Sequence, residues 1–156
     1  MPRAPLPADL REAIDEFVRL RQLVAAEPPP ALAAMLAAAP RATFRDELLG
    51  MIRSRGLVDS RVCAAAGVDR RHYSKIRNDP ECRPDKATVV SFAIALRLSF
   101  AESERLMRAA GHAFSDASLF DLICRFFLEN GEHDPFRIND ALHAYGQPLV
   151  CGVAED

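Results

Sequence analysis

The sequence predicts an all-α fold, and three observations favour helices over strands. Ala, Leu and Arg are abundant, whereas the 156 residues include no Trp and two Tyr. Apolar residues recur mostly at helical spacing, and proline or glycine separates these amphipathic stretches. Hydrophobic residues make up 49% of the chain and charged residues 27%, which is typical of a folded globular protein rather than a disordered one.

Charge is distributed unevenly along the chain. Residues 1–40 carry four Arg and five acids, residues 41–112 carry 14 Lys and Arg against nine acids, and residues 113–156 carry two Arg against eight acids. We therefore divide the chain into an N-terminal helical arm (1–40), a central domain (41–112) and a C-terminal two-helix extension (113–156). The basic centre indicates a polyanionic partner. The same asymmetry would also let the acidic extension fold back on the centre, so both interpretations stay open.

The N-terminal arm contains two predicted helices. The first, Leu10–Ala26, has an apolar stripe at helical spacing, formed by Leu10, Ile14, Phe17, Leu20, Leu23 and Val24. Pro28-Pro29-Pro30 ends it, and Pro40 ends the second, Ala31–Ala39, because proline lacks the backbone donor that a helix needs. The stripe must pack on the main body or on a second copy of the chain. Leu10, Ile14 and Phe17 are accordingly candidates for a dimer or partner interface.

Five further helices are predicted in the central domain. The first begins after Thr43 and the fifth after Ser99, because each of these hydroxyl residues precedes an acid by three positions. Glycine ends the first, second and fifth helices, at Gly56, Gly67 and Gly111. The second, third and fourth helices are predicted over Asp59–Ala66, Arg70–Arg77 and Asp85–Leu98.

The C-terminal extension is predicted to form two helices. Ser115–Asn130 is apolar on nearly all sides, which is typical of a helix at the centre of its own packing unit. The second, Phe136–Tyr145, follows the N-cap and first-turn proline Asp134-Pro135. These helices either extend the same globule or build a contact with another chain. Phe120, Phe127 and Phe136 are the candidates for such a partner interface.

Two short helices joined by a tight turn at Gly67-Val68 are the sharpest local feature. Over Leu57–Val68, small or apolar residues occupy the positions where two crossing helices touch. Here the chain resembles the lambda-repressor-like (Xre-type) helix-turn-helix family. The resemblance continues through Asp69–Arg77, through the proline before the next helix in Pro84-Asp85-Lys86-Ala87-Thr88, and on to Ala93–Leu96. It covers roughly residues 44–110 and implies a five-helix domain with the N-terminal arm and C-terminal extension added to it.

The resemblance implies that the third helix of the domain enters the DNA major groove. Four exposed residues then become candidates for base contacts: Arg70, Arg71, His72 and Lys75. Tyr73 and Ile76 point inward in this interpretation, and either leading arginine would form a bidentate contact with guanine. Four other residues are candidates for phosphate contacts: Arg77, Asn78, Arg83 and Lys86.

Two carboxylates depart from the family pattern. The family usually has Gln at the start of the second helix, whereas this chain has Asp59 there and Asp69 at the start of the third helix. Carboxylates at these positions would repel phosphates. Both residues are also favourable N-caps, which is the structural explanation for their presence.

Two functions follow from this reading. The first is a bacterial DNA-binding transcriptional regulator that acts on double-stranded DNA as a homodimer, because paired half-sites need two copies. The second is a protein-interaction or assembly module that does not bind DNA specifically. In it the acidic residues of the extension mask the basic face or dock a partner: Glu129, Glu132, Asp134 and Asp140.

The segments Ser115–Ile123 and Gln147-Pro148-Leu149 also resemble a tail that follows Xre-type domains in a set of bacterial proteins.

The sequence predicts neither an enzyme nor a metal or cofactor site. It contains no nucleophile-elbow, Walker or dinucleotide-binding pattern, and His112, His133 and His143 lie too far apart to share one helical face. The four cysteines form no CxxC pair, so we expect reduced and mostly buried thiols in a cytoplasmic protein. No apolar run is long enough to cross a bilayer.

Overall fold

A computed structural model describes residues 7–25, 29–38 and 42–152, and all regular structure in these ranges is helical. The helices are α1 (Ala8–Ala25), α2 (Pro30–Ala38), α3 (Phe44–Ser54), α4 (Asp59–Ala66), α5 (Arg70–Asn78), α6 (Lys86–Ala95), α7 (Phe100–Ala109), α8 (Leu119–Glu129) and α9 (Pro135–Ala144). The predicted all-α class is therefore confirmed for the described residues. The chain divides into an N-terminal unit, Met1–Arg41, and a C-terminal unit, Ala42–Asp156.

The N-terminal unit consists of α1 and α2. Pro30 is the first residue of α2, where its fixed φ and missing donor cost nothing. The described side chains of both helices are exposed, and the guanidinium carbon of Arg21 lies 5.0 Å from the centroid of the Phe17 ring. Several predicted features lie outside the described residues: Ala26, Pro28, Ala39, Pro40, and the side chains of Leu23 and Val24.

Side-chain caps begin most helices of the C-terminal unit. Thr43, Asp69, Ser99 and Asp134 each accept a hydrogen bond from a backbone N–H two or three residues ahead, as the sequence predicted. Asp59 is different, because Val58 is the N-cap residue of α4 and makes no side-chain cap. The prediction that Asp59 caps this helix is therefore wrong.

Two helices are shorter than predicted. The fourth helix of the central domain ends at Ala95 rather than Leu98, because Arg97 takes a left-handed φ of 55° and the N–H of Leu98 turns back to the carbonyl of Ala93. No glycine marks this stop. The first helix of the extension begins at Leu119 rather than Ser115, because the Ser118 side chain caps it.

The C-terminal unit has one core built around α6. This helix packs against α4 and α7, α3 packs against α7, and α8 packs against α7 and α9. Phe92 of α6 is fully buried, with its ring centroid 6.2 Å from that of Phe44 on α3. The extension therefore adds to the core of the central helices.

The buried side of α8 corrects two predicted partner-interface residues. Phe120 and Phe127 are each 8% exposed and belong to the core, together with Cys124. They are consequently inaccessible to another chain, and the prediction for them is wrong. Phe136 on α9 is 67% exposed.

No helix among the described residues is long and apolar enough to span a membrane.

Candidate nucleic-acid interface

The turn between α4 and α5 is defined by hydrogen bonds at both ends. Gly67 closes α4 with a left-handed φ of 66°, and the N–H of Val68 donates to the carbonyl of Cys63 at 2.9 Å. Two residues later, the Asp69 carboxylate accepts a hydrogen bond of 2.8 Å from the N–H of His72. A helix stop and a helix start thus share three connecting residues, which fixes the direction in which α5 leaves α4.

Helix α5 divides into an inner and an outer face. Ile76 is 1% exposed, and His72 and Tyr73 are half-buried beside it. These three residues share one side of the helix because His72 and Tyr73 lie four and three positions before Ile76. Ile76 and Tyr73 therefore point inward as predicted.

The outer face of α5 is cationic. Arg70, Arg71, Lys75 and Arg77 are exposed, and no acidic residue lies within the helix. Within the described part of the chain, Arg70, Arg71 and Lys75 make no ion pair and no side-chain hydrogen bond. The side chains predicted for base contacts are accordingly brought together on one accessible surface, with the exception of His72.

His72 lies in a polar cleft rather than on the outer face. The cleft lies between the starts of α5 and α6 and the C-terminal turn, and His72 lines it with Asp85, Thr88 and Cys151. The prediction that His72 is exposed is wrong, because its position on the helix places it beside Ile76.

Asp59 is tied to the helix that follows it. The hydroxyl of Tyr73 donates to its Oδ2 at 2.6 Å, and Nη1 of Arg77 lies 3.4 Å from the same oxygen. Burial, together with this hydrogen bond, raises the pKa of Tyr73, so the phenol stays protonated and keeps donating. The Asp59 carboxylate, which was expected to repel phosphates, is thus partly neutralised within the fold. Because Arg77 is its partner, the positive charge of Arg77 is less available to a phosphate.

The remaining phosphate candidates differ in availability. Asn78 and Arg83 are exposed, and the Asn78 amide donates to the Ser74 hydroxyl at 3.2 Å. Lys86 instead places its ammonium 2.8 Å from Oδ2 of Asp121, a side chain that is 0% exposed. Because that carboxylate is shielded from water, it needs the Lys86 ammonium as its counter-charge, and removing the ammonium would leave a buried, unpaired charge. The prediction of a phosphate contact from Lys86 is therefore wrong.

A C-terminal turn, Val150–Gly152, packs against Gly67 in the α4–α5 turn, and it was not predicted from the sequence. The side chain of Asn139 on α9 both donates to and accepts from the Val150 backbone, at 2.9 and 2.8 Å. The N–H of Cys151 donates to the Ser91 hydroxyl on α6 at 2.9 Å. A Cβ at Gly152 would lie 2.7 Å from the carbonyl oxygen of Gly67. The feature that marks this contact is the close approach of Gly67 and Gly152, which are distant in sequence and adjoin only in the folded chain.

The acidic residues of the extension have partners of their own. Glu129 pairs with Arg125 at 2.8 Å, Glu132 pairs with Arg137, and Asp134 caps α9. In the part of the chain that the structure describes, none of the acids on α8 and α9 forms an ion pair or hydrogen bond with α5. This arrangement does not favour masking of the basic face by the extension.

Among the described residues, cysteines and histidines do not assemble into a cluster that could hold a metal ion. Cys63, Cys124 and Cys151 are buried free thiols and Cys82 is half-buried. Burial raises the pKa of Cys63 and Cys151 to about 11 and that of Cys124 to about 12. Residues 7–25, 29–38 and 42–152 contain no group of three or more His, Cys, Asp or Glu side chains arranged to hold a metal ion.

No protein-family model, curated protein or solved structure matches this chain.

Proposed function

We propose that this protein is a DNA-binding transcriptional regulator that reads the major groove with α5. In this proposal α3 to α7 form a lambda-repressor-like five-helix domain, and two copies of the chain read two half-sites. The observation that carries the proposal is the outer face of α5, where Arg70, Arg71 and Lys75 are exposed and uncompensated by any described residue.

The dimensions of α5 suit this role. An α-helix with its side chains is about 10–12 Å in diameter, which fits a groove about 12 Å wide, and the nine residues of α5 give it a length of about 13 Å along the groove. Arg70 and Arg71 stand at its N-terminal end, the end that contacts base edges in helix-turn-helix proteins. Lys75 would extend the base-contacting face, and Asn78 and Arg83 would contact phosphates and set the register of the domain.

The test begins with selection of duplexes from a random DNA pool, followed by affinity measurements at several salt concentrations. The proposal predicts an enriched sequence and an affinity that falls steeply as salt rises, because phosphate contacts release counterions. No retained duplex at low salt would contradict it.

The variant that tests α5 is Arg70→Ala with Arg71→Ala. Affinity for the selected duplex should fall about 1000-fold, since each bidentate arginine–guanine contact contributes roughly 1–3 kcal/mol. The unfolding midpoint should not change, because both side chains are exposed. Arg53→Ala with Arg108→Ala removes the same charge from exposed sites on α3 and α7 that form no ion pair with a described residue, and should weaken binding only slightly. Equal losses in the two double variants would reduce the effect to net charge.

A second candidate function is assembly with another protein, and one observation favours it. The side of α8 that faces away from the core exposes Leu119, Leu122 and Phe126, with Phe126 at 60%. Exposed apolar stripes of this kind mark interaction surfaces. This function predicts co-purification of a partner that survives the Arg70 and Arg71 substitutions, with no selected duplex.

A further inference from the structure

The middle of the outer face of α5 is formed by two uncharged side chains, Ser74 and Asn78. They lie two residues before and two residues after Ile76, which is 1% exposed. Successive residues of an α-helix are rotated by about 100°, so residues two positions from Ile76 lie on the opposite side of the helix. Ser74 and Asn78 are both exposed, and they are neighbours on that side because they lie four positions apart. They therefore point directly away from the core, between the cationic side chains of the helix.

The Asn78 amide is held by Ser74. Its Nδ2 donates a hydrogen bond of 3.2 Å to the Ser74 hydroxyl. A carboxamide has an oxygen that accepts and a nitrogen that carries two donors, so this contact leaves the oxygen and one N–H. In the described part of the chain, neither of these forms another hydrogen bond. Asn78 thus presents one acceptor and one donor side by side, on the face that the proposed function turns towards DNA.

Adenine is the base whose major-groove edge matches this pair. It presents N7 as an acceptor and its N6 amino group as a donor, whereas guanine presents two acceptors, thymine one acceptor and cytosine one donor. The Asn78 oxygen would accept from N6, and its remaining N–H would donate to N7.

Charge does not single out Asn78 as a phosphate contact. The last turn of α5 contains two cations, Lys75 and Arg77, but the exposed acids Asp79 and Glu81 directly follow the helix. The carbonyl groups at the helix end add a partial negative charge. A neutral base edge that offers an amino donor suits these surroundings better than a phosphate does.

We infer that Asn78 reads an adenine in the major groove, with Ser74 as its positioning residue. The inference rests on the proposed function and deepens it, because a base contact takes the place of the phosphate contact assigned to Asn78. Arg70 lies eight residues earlier, which is about 12 Å along the helix. Successive bases of one strand are roughly 3.4 Å apart, so the adenine should lie about three to four base pairs from the guanine that Arg70 reads.

The first test compares selection from a random DNA pool by the native protein and by Asn78→Ala. The native protein should enrich a site with a fixed adenine. Asn78→Ala should lose the preference at that position alone, and its affinity for the native site should be about 10-fold lower. Arg83→Ala is the matched control, because Arg83 is exposed and stays assigned to a phosphate, and it should weaken binding to all sequences alike. A uniform loss in Asn78→Ala, with the adenine preference retained, overturns the inference.

The second test removes one acceptor from the base. 7-Deazaadenine lacks N7 and keeps the N6 amino group, so its use in the selected site should weaken binding by the native protein about fivefold, the effect of one hydrogen bond. Asn78→Ala should bind the two duplexes equally, because the partner of N7 has been removed. Equal losses in the native protein and in Asn78→Ala overturn the inference.

The third test concerns the positioning role of Ser74. Ser74→Ala frees the Asn78 amide, so the preference for adenine should fall about threefold, because the amide must then be ordered on binding. Ser74→Thr keeps the hydroxyl and should retain the preference. The preference for guanine should be the same in both variants. An unchanged adenine preference in Ser74→Ala would contradict the positioning role.

The two proposals fail separately. A selected duplex in which the guanine contacts alone are specific leaves DNA reading by Arg70 and Arg71 intact and overturns the inference. If no duplex is selected, the proposed function is wrong, and the inference that rests on it is wrong as well.

Discussion

Two sets of basic residues lie in or near the α5 region, and the fold treats them differently. Arg70, Arg71 and Lys75 extend from the outer face of α5 with no partner among the described residues. Arg77 and Lys86 are paired, with Asp59 and with the buried Asp121. In sequence all five are cations within one basic stretch. The comparison shows that a candidate for binding a polyanion is identified by uncompensated charge, whereas paired cations belong to the framework that holds the helix in place.

The largest effect should come from the turn that directs the outward set. Gly67→Ala should destabilise the protein by about 3 kcal/mol, because a left-handed φ costs a residue with a Cβ roughly 1–2 kcal/mol and the new Cβ would collide with the backbone of Cys151. Chemical denaturation measures the change.

Gly131→Ala is the matched control for this substitution. Gly131 has a φ of 67°, but a Cβ there would meet no described atom within 4 Å. It should cost about 1 kcal/mol. Equal costs at the two glycines would show that the C-terminal turn does not support α5.

A similar loss of stability should follow from breaking the paired set. Lys86→Met leaves the Asp121 carboxylate buried without its cation, and should destabilise the protein by about 2–3 kcal/mol, below the usual cost for a fully buried pair because Lys86 is 31% exposed. Lys75→Met is the control and should leave stability unchanged. If Lys75→Met were the more destabilising variant, the division between paired and outward cations would be wrong.

A smaller effect is expected at the contact between α4 and α5. Tyr73→Phe removes the hydroxyl that donates to Asp59, and a single hydrogen bond of this kind contributes about 1 kcal/mol. Tyr145→Phe is the control, because Tyr145 is 62% exposed. If the two variants unfolded at the same denaturant concentration, the hydrogen bond between Tyr73 and Asp59 would not stabilise the fold.

The smallest effect concerns the buried thiols. The pKa of Cys63 and Cys151 is raised from 9.0 to about 11, so the unfolded chain ionises first as the pH rises. Stability should therefore be complete below pH 9 and fall between pH 9 and about 11. Urea unfolding across this range should show a shallower decline in Cys151→Ala than in the native protein; an identical slope would contradict the account.

Features set by neighbouring residues were predictable, and those set across the fold were not. The caps at Thr43, Asp69 and Ser99 follow from residues three positions apart, so their pattern is visible in the sequence. The end of α6 was missed, because Arg97 adopts a conformation that usually calls for glycine.

Long-range pairings account for the missed parts of the site. Lys86 and Asp121 are separated by 35 residues, and Ser91 and Cys151 by 60. Nothing in the sequence distinguishes Asp121 from the exposed acids around it, so the loss of Lys86 as a phosphate contact could not be foreseen. Helix α8 is apolar on nearly all sides, which hid the fact that Phe120 is buried.

The most direct test of the central claim is a titration of the folded protein with its selected duplex, followed by NMR of the backbone amides and arginine side chains. The account predicts that the largest shifts fall on Arg70, Arg71 and Lys75, while Lys86 and the residues of α8 change little. Shifts centred on α8 and α9, with α5 unchanged, would contradict it.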